Sequence, residues 1–438
     1  FYLICTVVPK PGTFVVTASD PAGPWSDPHW IADTPGIDPS LFFDDDGRCW
    51  YCGTRPAPEG PKYDGNWEVW LREFDVKSMA LKGETHQLWR GALRDAIWPE
   101  GPHLYKIDGR YYLLIAEGGT AHHHAISIAR SDKVSGPYVG NPGNPILTHR
   151  HFGNEFPIVN VGHADLFRTK KGDWWMALLA SRPYGGLFCN RGRETFLCPV
   201  AWEDGWPVAS PGTGRLEFSY PAPDLEPSPF PARLACEHFD APILGHEWFS
   251  IRTPPAEPFF SLSERPGFLR LKLRPPAVSG GENPSCALRS QADESFLAAT
   301  SMDFSPRSNN ETAGILLLQN EDWQFRLEVL GAAGSADPAA LVRAVSRADG
   351  KETVLGSARF KGGRIFLKAE ARGQSFSFWF AERPGEWKLL AEGADGRILS
   401  TEKAGGFVGT CLGLFASSNG TESSNTADFD WFEYRGTE

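Results

Sequence analysis

Three stretches of the chain are versions of one another, and a repeat narrows the fold more than any other feature of the sequence. Residues 38–54 read DPSLFFDDDGRCWYCGT, residues 100–116 read EGPHLYKIDGRYYLLIA, and residues 163–180 read HADLFRTKKGDWWMALLA. Each opens on a polar residue (Asp38, Glu100, His163), runs into an apolar strand, turns at a glycine (Gly47, Gly109, Gly172) and returns through aromatics. Short apolar runs on either side of a glycine turn read as a β-hairpin. The three openings lie 62 and 63 residues apart. A period of that length in a strand-rich chain predicts propeller blades, with the opening residues recurring at equivalent places around one axis. Three such residues converging on an axis would make a site.

Residues 1–6, FYLICT, match the returning half of the hairpin, so the sequence is expected to begin inside a blade and to lack an N-terminal portion. With the repeat ending near residue 210, roughly three and a half blades are accounted for, while closed propellers have about four or more. Further strands are expected at 13–19, at 67–75 and, as a strand, turn and strand, within 192–208.

Composition excludes two classes of partner. The net charge of −11 argues against nucleic acid, whose phosphates demand clustered Lys and Arg. No apolar run reaches the ~18 residues of a membrane-spanning helix. Eight cysteines show no dense framework. Cys49 and Cys52, three apart on a strand, point to opposite faces and read as buried thiols. The sequons at Asn310 and Asn419 would bear only on a eukaryotic secretory route.

The pattern changes beyond a proline-rich stretch that includes Pro221, Pro223, Pro227, Pro229 and Pro231. Longer alternating runs follow at 268–273, 314–319, 323–330, 364–371 and 375–382, and the 62-residue period is gone. Many strands at short spacing predict a two-sheet sandwich. Its last strand, 428–434, is expected to pair near its first, CEHFD. The organisation read from the sequence is a propeller over 1–215, a linker over 216–231 and a sandwich over 232–438.

The stretches GPWSDP, GIDPSLFFDDDG, EGPHLYKIDGRYYL, HAISIARS, GPYVGNPGNPILTHR, VGHADLF and GRETFL resemble glycoside hydrolase family 43 β-xylosidases across residues 1–215. EHFD, SLSERPGFLRL and DFDWFEY resemble the concanavalin-A-like sandwich appended to such enzymes. The resemblance implies an all-β fold, a five-bladed propeller followed by that sandwich, and an inverting mechanism. Inverting hydrolysis needs a carboxylic acid to protonate the leaving oxygen and a carboxylate to activate water on the opposite side.

Glu100 matches the family's general acid and needs a raised pKa to be protonated at working pH. Asp38 matches the acid that orients Glu100 and raises its pKa. The general base matches an Asp upstream of residue 1. Asp44, Asp45 and Asp46 read instead as a solvated hairpin turn. His163 matches a histidine on the propeller axis that orients the site or holds an axial ion or water. Arg193 matches an arginine that hydrogen-bonds sugar hydroxyls, the bland alternative being a salt bridge with Glu194. Trp98 is a candidate wall for a sugar ring, with core packing the alternative. Of His122, His123 and His124, only His124 matches a loop histidine near the site.

In the sandwich, relatives carry a structural calcium, for which Asp240, Glu264 and Asp430 are the oxygen-ligand candidates. Exposed strand-end charges are the alternative. The chemistry itself implies no cofactor. The resemblance implies an exo-acting glycosidase that releases xylose from xylo-oligosaccharides or arabinoxylan fragments, with terminal α-L-arabinofuranose as a second substrate. A sandwich loop is expected to close part of the pocket, and relatives are often homo-oligomers. Two alternatives stay open: a noncatalytic carbohydrate-binding protein on a degenerate propeller, and an arabinan-degrading hydrolase of the same class.

Overall fold

A computed structural model describes residues 1–8, 12–93, 95–230, 233–254, 259–331 and 340–437. The chain divides into two compact units. One comprises Phe1–Arg182 and Glu194–Pro227, the other Pro183–Arg193 and Ser228–Glu438. Almost every element is a β-strand. Among the described residues no helix is long and apolar enough to cross a membrane.

The first unit is a propeller of antiparallel sheets. β1 (Tyr2–Val7), β2 (Gly12–Thr17) and β3 (His29–Ile31) form a three-stranded sheet. β4 (Ile37–Phe43), β5 (Cys49–Pro56), β6 (Trp67–Asp75) and β7 (Ala80–Trp89) form the second. β8 (Glu100–Ile107), β9 (Arg110–Glu117), β10 (Ala125–Ser131) and β11 (Val139–Gly140) form the third. β12 (Val159–Arg168), β13 (Trp174–Ser181), β14 (Glu194–Glu203) and β15 (Trp206–Ala209) form the fourth. The described residues thus build four sheets. β1 lies against β4, β4 against β8 and β8 against β12, so the leading strands are neighbours.

The repeat sets this order for a simple reason. The turn glycines Gly47, Gly109 and Gly172 have φ of +83°, +80° and +105°, the left-handed region that a hairpin turn needs. The apolar run of β9 is unbroken because its sheet is covered on both faces. Leu113 and Ile115 enter one core with Trp50 and Leu71. Tyr112 and Leu114 enter the next with Ile126 and Leu166. Cys49 and Cys52 also enter different cores, as free thiols. Burial pushes the Cys49 thiol up to about 12 and the Cys52 thiol higher still.

Asp44 corrects one expectation. It is a buried latch between sheets, not a solvated turn residue. Lys106 Nζ reaches Asp44 Oδ1 at 2.9 Å, and the Tyr111 hydroxyl donates to Oδ2 at 2.7 Å. Burial alone would raise the Asp44 pKa, but these two donors outweigh it and hold the carboxyl below its ordinary value. Asp45 and Asp46 are exposed, as a turn requires.

Residues 216–231, read as a linker, divide. Leu216 is buried and its N–H donates to His149 Nε2 at 2.9 Å, so the stretch to Pro227 belongs with the propeller. Pro231 and Ala232 lie outside the described residues.

The second unit is a sandwich of two antiparallel sheets. In chain order its strands begin with β16 (Cys236–Glu237), β17 (Phe260–Ser261), β18 (Leu269–Lys272), β19 (Ser285–Ser290) and β20 (Phe296–Phe304). β21 (Thr312–Asn320), β22 (Trp323–Gly331), β23 (Ala340–Ala348), β24 (Lys351–Phe360) and β25 (Gly363–Arg372) follow. β26 (Ser375–Ala381), β27 (Lys388–Asp395), a short helix α1 (Thr401–Ala404), β28 (Cys411–Ser417) and β29 (Thr426–Gly436) complete it.

One sheet runs β17-β18-β29-β20-β25-β26-β27, with β16 also on β29, and the other runs β19-β28-β21-β22-β23-β24. The expected closure holds, since Cys236 pairs with Glu433 and Glu237 with Phe432. Alternate residues such as Phe296, Phe325, Phe376 and Phe429 fill the core between the sheets. Pro183–Arg193, expected within the propeller, packs here instead. The Asn190 side chain donates to the Gly396 carbonyl at 2.9 Å, and the Thr410 N–H donates to the Asn190 carbonyl at 2.7 Å. Gly192 lies so close to the Val408–Gly409 backbone that a Cβ would meet it at 2.5 Å.

Candidate active site

Each leading strand of the second, third and fourth sheets carries a β-bulge at the same place. Ile37 pairs with Thr54 and then Ser40 with Cys52. Glu100 pairs with Ala116 and then His103 with Leu114. Gly162 pairs with Leu179 and then Asp165 with Ala177. In each, two residues on the leading strand stand opposite one on its partner, which bends the strand and re-aims its side chains.

The first bulged residues are Asp38, Gly101 and His163, with φ of +52°, +52° and +53°. Two of the three are non-glycine residues in the left-handed region, a sparsely populated conformation that clusters at functional sites. The expected equivalence therefore needs correction by one residue. Asp38 and His163 are equivalent, but their counterpart in the third sheet is Gly101, and Glu100 precedes it. Spacing alone hid this, because a bulge adds no signal to a hairpin pattern.

The bulges bring the three side chains together. One ligand-type atom from each of Asp38, Glu100 and His163 lies within 4.8 Å of the others, all three residues half-buried. Among the described residues no other group of three or more His, Cys, Asp or Glu side chains is so gathered. The Gly101 N–H donates to Asp38 Oδ2 at 3.1 Å. A Cβ on Gly101 would fall 2.5 Å from His163 Nε2, so only glycine lets the Glu100 strand approach this imidazole.

His124 supports the cluster from behind. It is buried, its Nδ1 lies 3.0 Å from the Asn160 carbonyl oxygen, and its ring centroid is 6.4 Å from that of His163. Gly162 leaves room for it, since a Cβ there would come within 2.3 Å of the His124 ring. His122 and His123 pack edge-on against each other, with His123 exposed.

Trp98, half-buried at φ +46°, has its indole flanked by Gly65 and Gly119, where added Cβ atoms would fall 3.1 and 2.8 Å away. That packing accounts for both glycines. Arg193 is exposed and belongs with the second unit, its guanidinium 4.9 Å from the Phe407 ring centroid. The Glu194 carboxylate is held at both oxygens by Arg182, at 2.7 and 3.0 Å.

The structure does not bring Asp240, Glu264 and Asp430 together as a calcium site. Protein cations take two of the three: Arg364 lies 2.9 Å from Asp430, and Arg270 and Lys272 lie 3.5 and 3.8 Å from Glu264. Arg265, Arg270 and Arg364 also hold Asp303 and Asp428, so this sheet surface is an ion-pair network of the protein's own residues.

Thr54, Ser40 and Asn160 carry no local sequence signal: the Thr54 and Ser40 hydroxyls donate to the Pro99 and Pro102 carbonyls of the next sheet, and the Asn160 carbonyl meets the His124 ring.

Residues 1–207 match the model of glycosyl hydrolases family 43, and residues 236–435 match the beta xylosidase C-terminal concanavalin A-like domain. The chain is 45% identical over 437 residues to a xylosidase/arabinosidase of Butyrivibrio fibrisolvens, covering 99% of this chain and 83% of that protein. It is 34% identical to a non-reducing end alpha-L-arabinofuranosidase of Bacteroides ovatus, covering 97% of this chain and 76% of that one. The crystal structure of xylan beta-1,4-xylosidase from Bacillus halodurans superimposes with a TM-score of 0.89 at 30% identity, covering 99% of this chain and 83% of that one. With two carboxyl groups and an imidazole gathered on the leading strands of a propeller, the chain belongs to glycosyl hydrolases family 43 and is a glycosidase carrying a beta xylosidase-type C-terminal domain.

Proposed function

We propose that the protein is an exo-acting, inverting glycosidase that releases xylose from the nonreducing ends of β-1,4-xylo-oligosaccharides, and terminal α-L-arabinofuranose as a second substrate. The names of its relatives support pentose specificity. The observation that carries the mechanism is the gathering of Asp38, Glu100 and His163 within 4.8 Å. The gathering sets a second carboxyl and an imidazole beside Glu100, where they can fix the orientation in which it meets the leaving oxygen.

The same distance separates the roles. An inverting acid and base stand about 6.5–9.5 Å apart to admit a water. Asp38 is too near Glu100 for that, and its carboxylate is engaged by the Gly101 N–H. Glu100 is the general acid, Asp38 orients it, and the general base is not a member of the cluster. His163 orients the cluster from the neighbouring sheet. Trp98 is the candidate wall for a sugar ring, His124 backs the cluster, and arabinoxylan fragments are the expected larger substrates.

The test compares the protein with Glu100→Ala on aryl β-xylosides and α-L-arabinofuranosides. Glu100→Ala is expected to lower kcat on a poor leaving group by about 10²–10⁴-fold. Proton NMR of the first-formed sugar is expected to show the inverted anomer. Unchanged turnover by the variant would remove Glu100 from its role, and a retained anomer would remove the inverting mechanism.

A further inference from the structure

Glu100 sits in the stretch Pro99-Glu100-Gly101-Pro102, which offers only two backbone N–H groups because proline has none. The stretch opens β8 at its bulge, where pairing with β9 is interrupted. Pairing lapses over the two residues that follow Glu100, and a slip of one residue would turn the side chain to the other face. The preceding sheet holds the stretch on both sides of the bulge. The Thr54 hydroxyl, on β5, donates to the Pro99 carbonyl at 2.5 Å. The Ser40 hydroxyl, on β4, donates to the Pro102 carbonyl at 2.6 Å. Between them the Gly101 N–H donates to Asp38.

Thr54 is fully buried, a place where valine would pack equally well and where a hydroxyl is costly unless bonded. Neither hydroxyl belongs to the cluster of titratable groups. Both act on the backbone that carries it, one on each side of Glu100.

We infer that Thr54 and Ser40 are positioning residues for Glu100, two hydroxyls of one sheet clamping both ends of the turn that presents the acid of the next. The inference rests on Glu100 being the general acid. Displacing such a group by about 1 Å costs on the order of 10²-fold in rate. The effect is confined to the protonation of the leaving oxygen. It therefore depends on the basicity of that oxygen, which general loosening of the fold does not.

The test uses Thr54→Val and Ser40→Ala, singly and together, with Thr54→Ser and Ser40→Thr as hydroxyl-retaining partners. Each is assayed on a dinitrophenyl pentoside, whose leaving group needs no proton, and on the corresponding disaccharide, whose leaving group does. The double variant is expected to lose about 10–100-fold in kcat on the disaccharide. On the dinitrophenyl substrate it is expected to lose less than about threefold, with KM within about twofold on both and the hydroxyl-retaining variants restoring the rate.

Equal losses on both substrates, or no loss on either, overturn the inference. If the double variant does not fold, the single Ser40→Ala variant on the half-buried strand carries the same comparison. Glu100→Ala run alongside separates the two readings. If it discriminates between leaving groups and the hydroxyl variants do not, the clamp alone is wrong. If Glu100→Ala itself does not discriminate, the assignment of the acid fails and takes the clamp with it.

Discussion

At Gly101 the chain has no choice of residue. Its φ is +52°, and a Cβ would meet the His163 imidazole at 2.5 Å. Gly101→Ala is expected to destabilise the fold by about 1–3 kcal/mol, from left-handed strain and the forced displacement of the ring. Urea unfolding measures the first effect and steady-state kinetics the second. An unaltered unfolding midpoint would mean that the strand relaxes freely.

His149 makes a different kind of prediction. Its Nδ1 lies 2.7 Å from the Ile158 carbonyl oxygen and its Nε2 accepts from the Leu216 N–H, so the folded protein holds it neutral. Burial lowers its pKa below the ordinary 6.5, with the Ile158 carbonyl opposing, Arg215 assisting and Glu217 opposing. The unfolded chain therefore takes up this proton first as pH falls, and stability is lost as pH drops below that ordinary value. The thermal midpoint should fall between neutral and mildly acidic pH, and His149→Gln should reduce that slope. An identical slope in the variant would assign the dependence to other groups.

Residues of this kind divide by what the sequence reveals. Asp38, Glu100 and His163 were legible because each breaks the polarity of an otherwise apolar hairpin. Asp44 was not, because its burial is decided by Lys106 and Tyr111, 62 and 67 positions away.

Among elements, the recurring device is a leading strand held by the strand before it. Ser40 bonds the Pro102 carbonyl, Asp44 receives Lys106 and Tyr111, and the Tyr105 hydroxyl bonds Asp165 and accepts from the Leu166 N–H. These contacts sit on successive sheets and join them in pairs. Asp44→Asn is expected to cost about 1–3 kcal/mol, because it weakens two hydrogen bonds at a buried charged group. Lys106→Met should cost less in that background than alone, as a double-mutant cycle would show. Additive losses would mean that the two side chains do not stabilise one another. The strands and turns were readable from alternation and glycine, whereas the bulges were not. An extra residue in a leading strand leaves the hairpin pattern intact, and because all three leading strands carry one, their spacing does not reveal it either.

For the whole molecule, the unforeseen feature is the passage of Pro183–Arg193 into the sandwich unit. Its sequence, PYGGLFCNRGR, reads as an ordinary turn between two strands, and only partners near residues 291, 374, 396 and 410 disclose where it packs. Residues 228–438 alone should therefore melt below the same polypeptide carrying 183–193 on a flexible linker. A difference of about 2–4 °C corresponds to each 1 kcal/mol at this size. Equal melting temperatures would show that the segment contributes nothing to the sandwich.

That passage means the backbone crosses between the units three times, after Arg182, Arg193 and Pro227. A cassette acquired or discarded by recombination is joined to its neighbour at a single point. Here a single cut at any of the three places leaves at least one unit without a piece: after Arg182 the first lacks 194–227, after Pro227 the second lacks 183–193, and after Arg193 both do. No single cut returns both units whole, and the path of eleven residues is the reason.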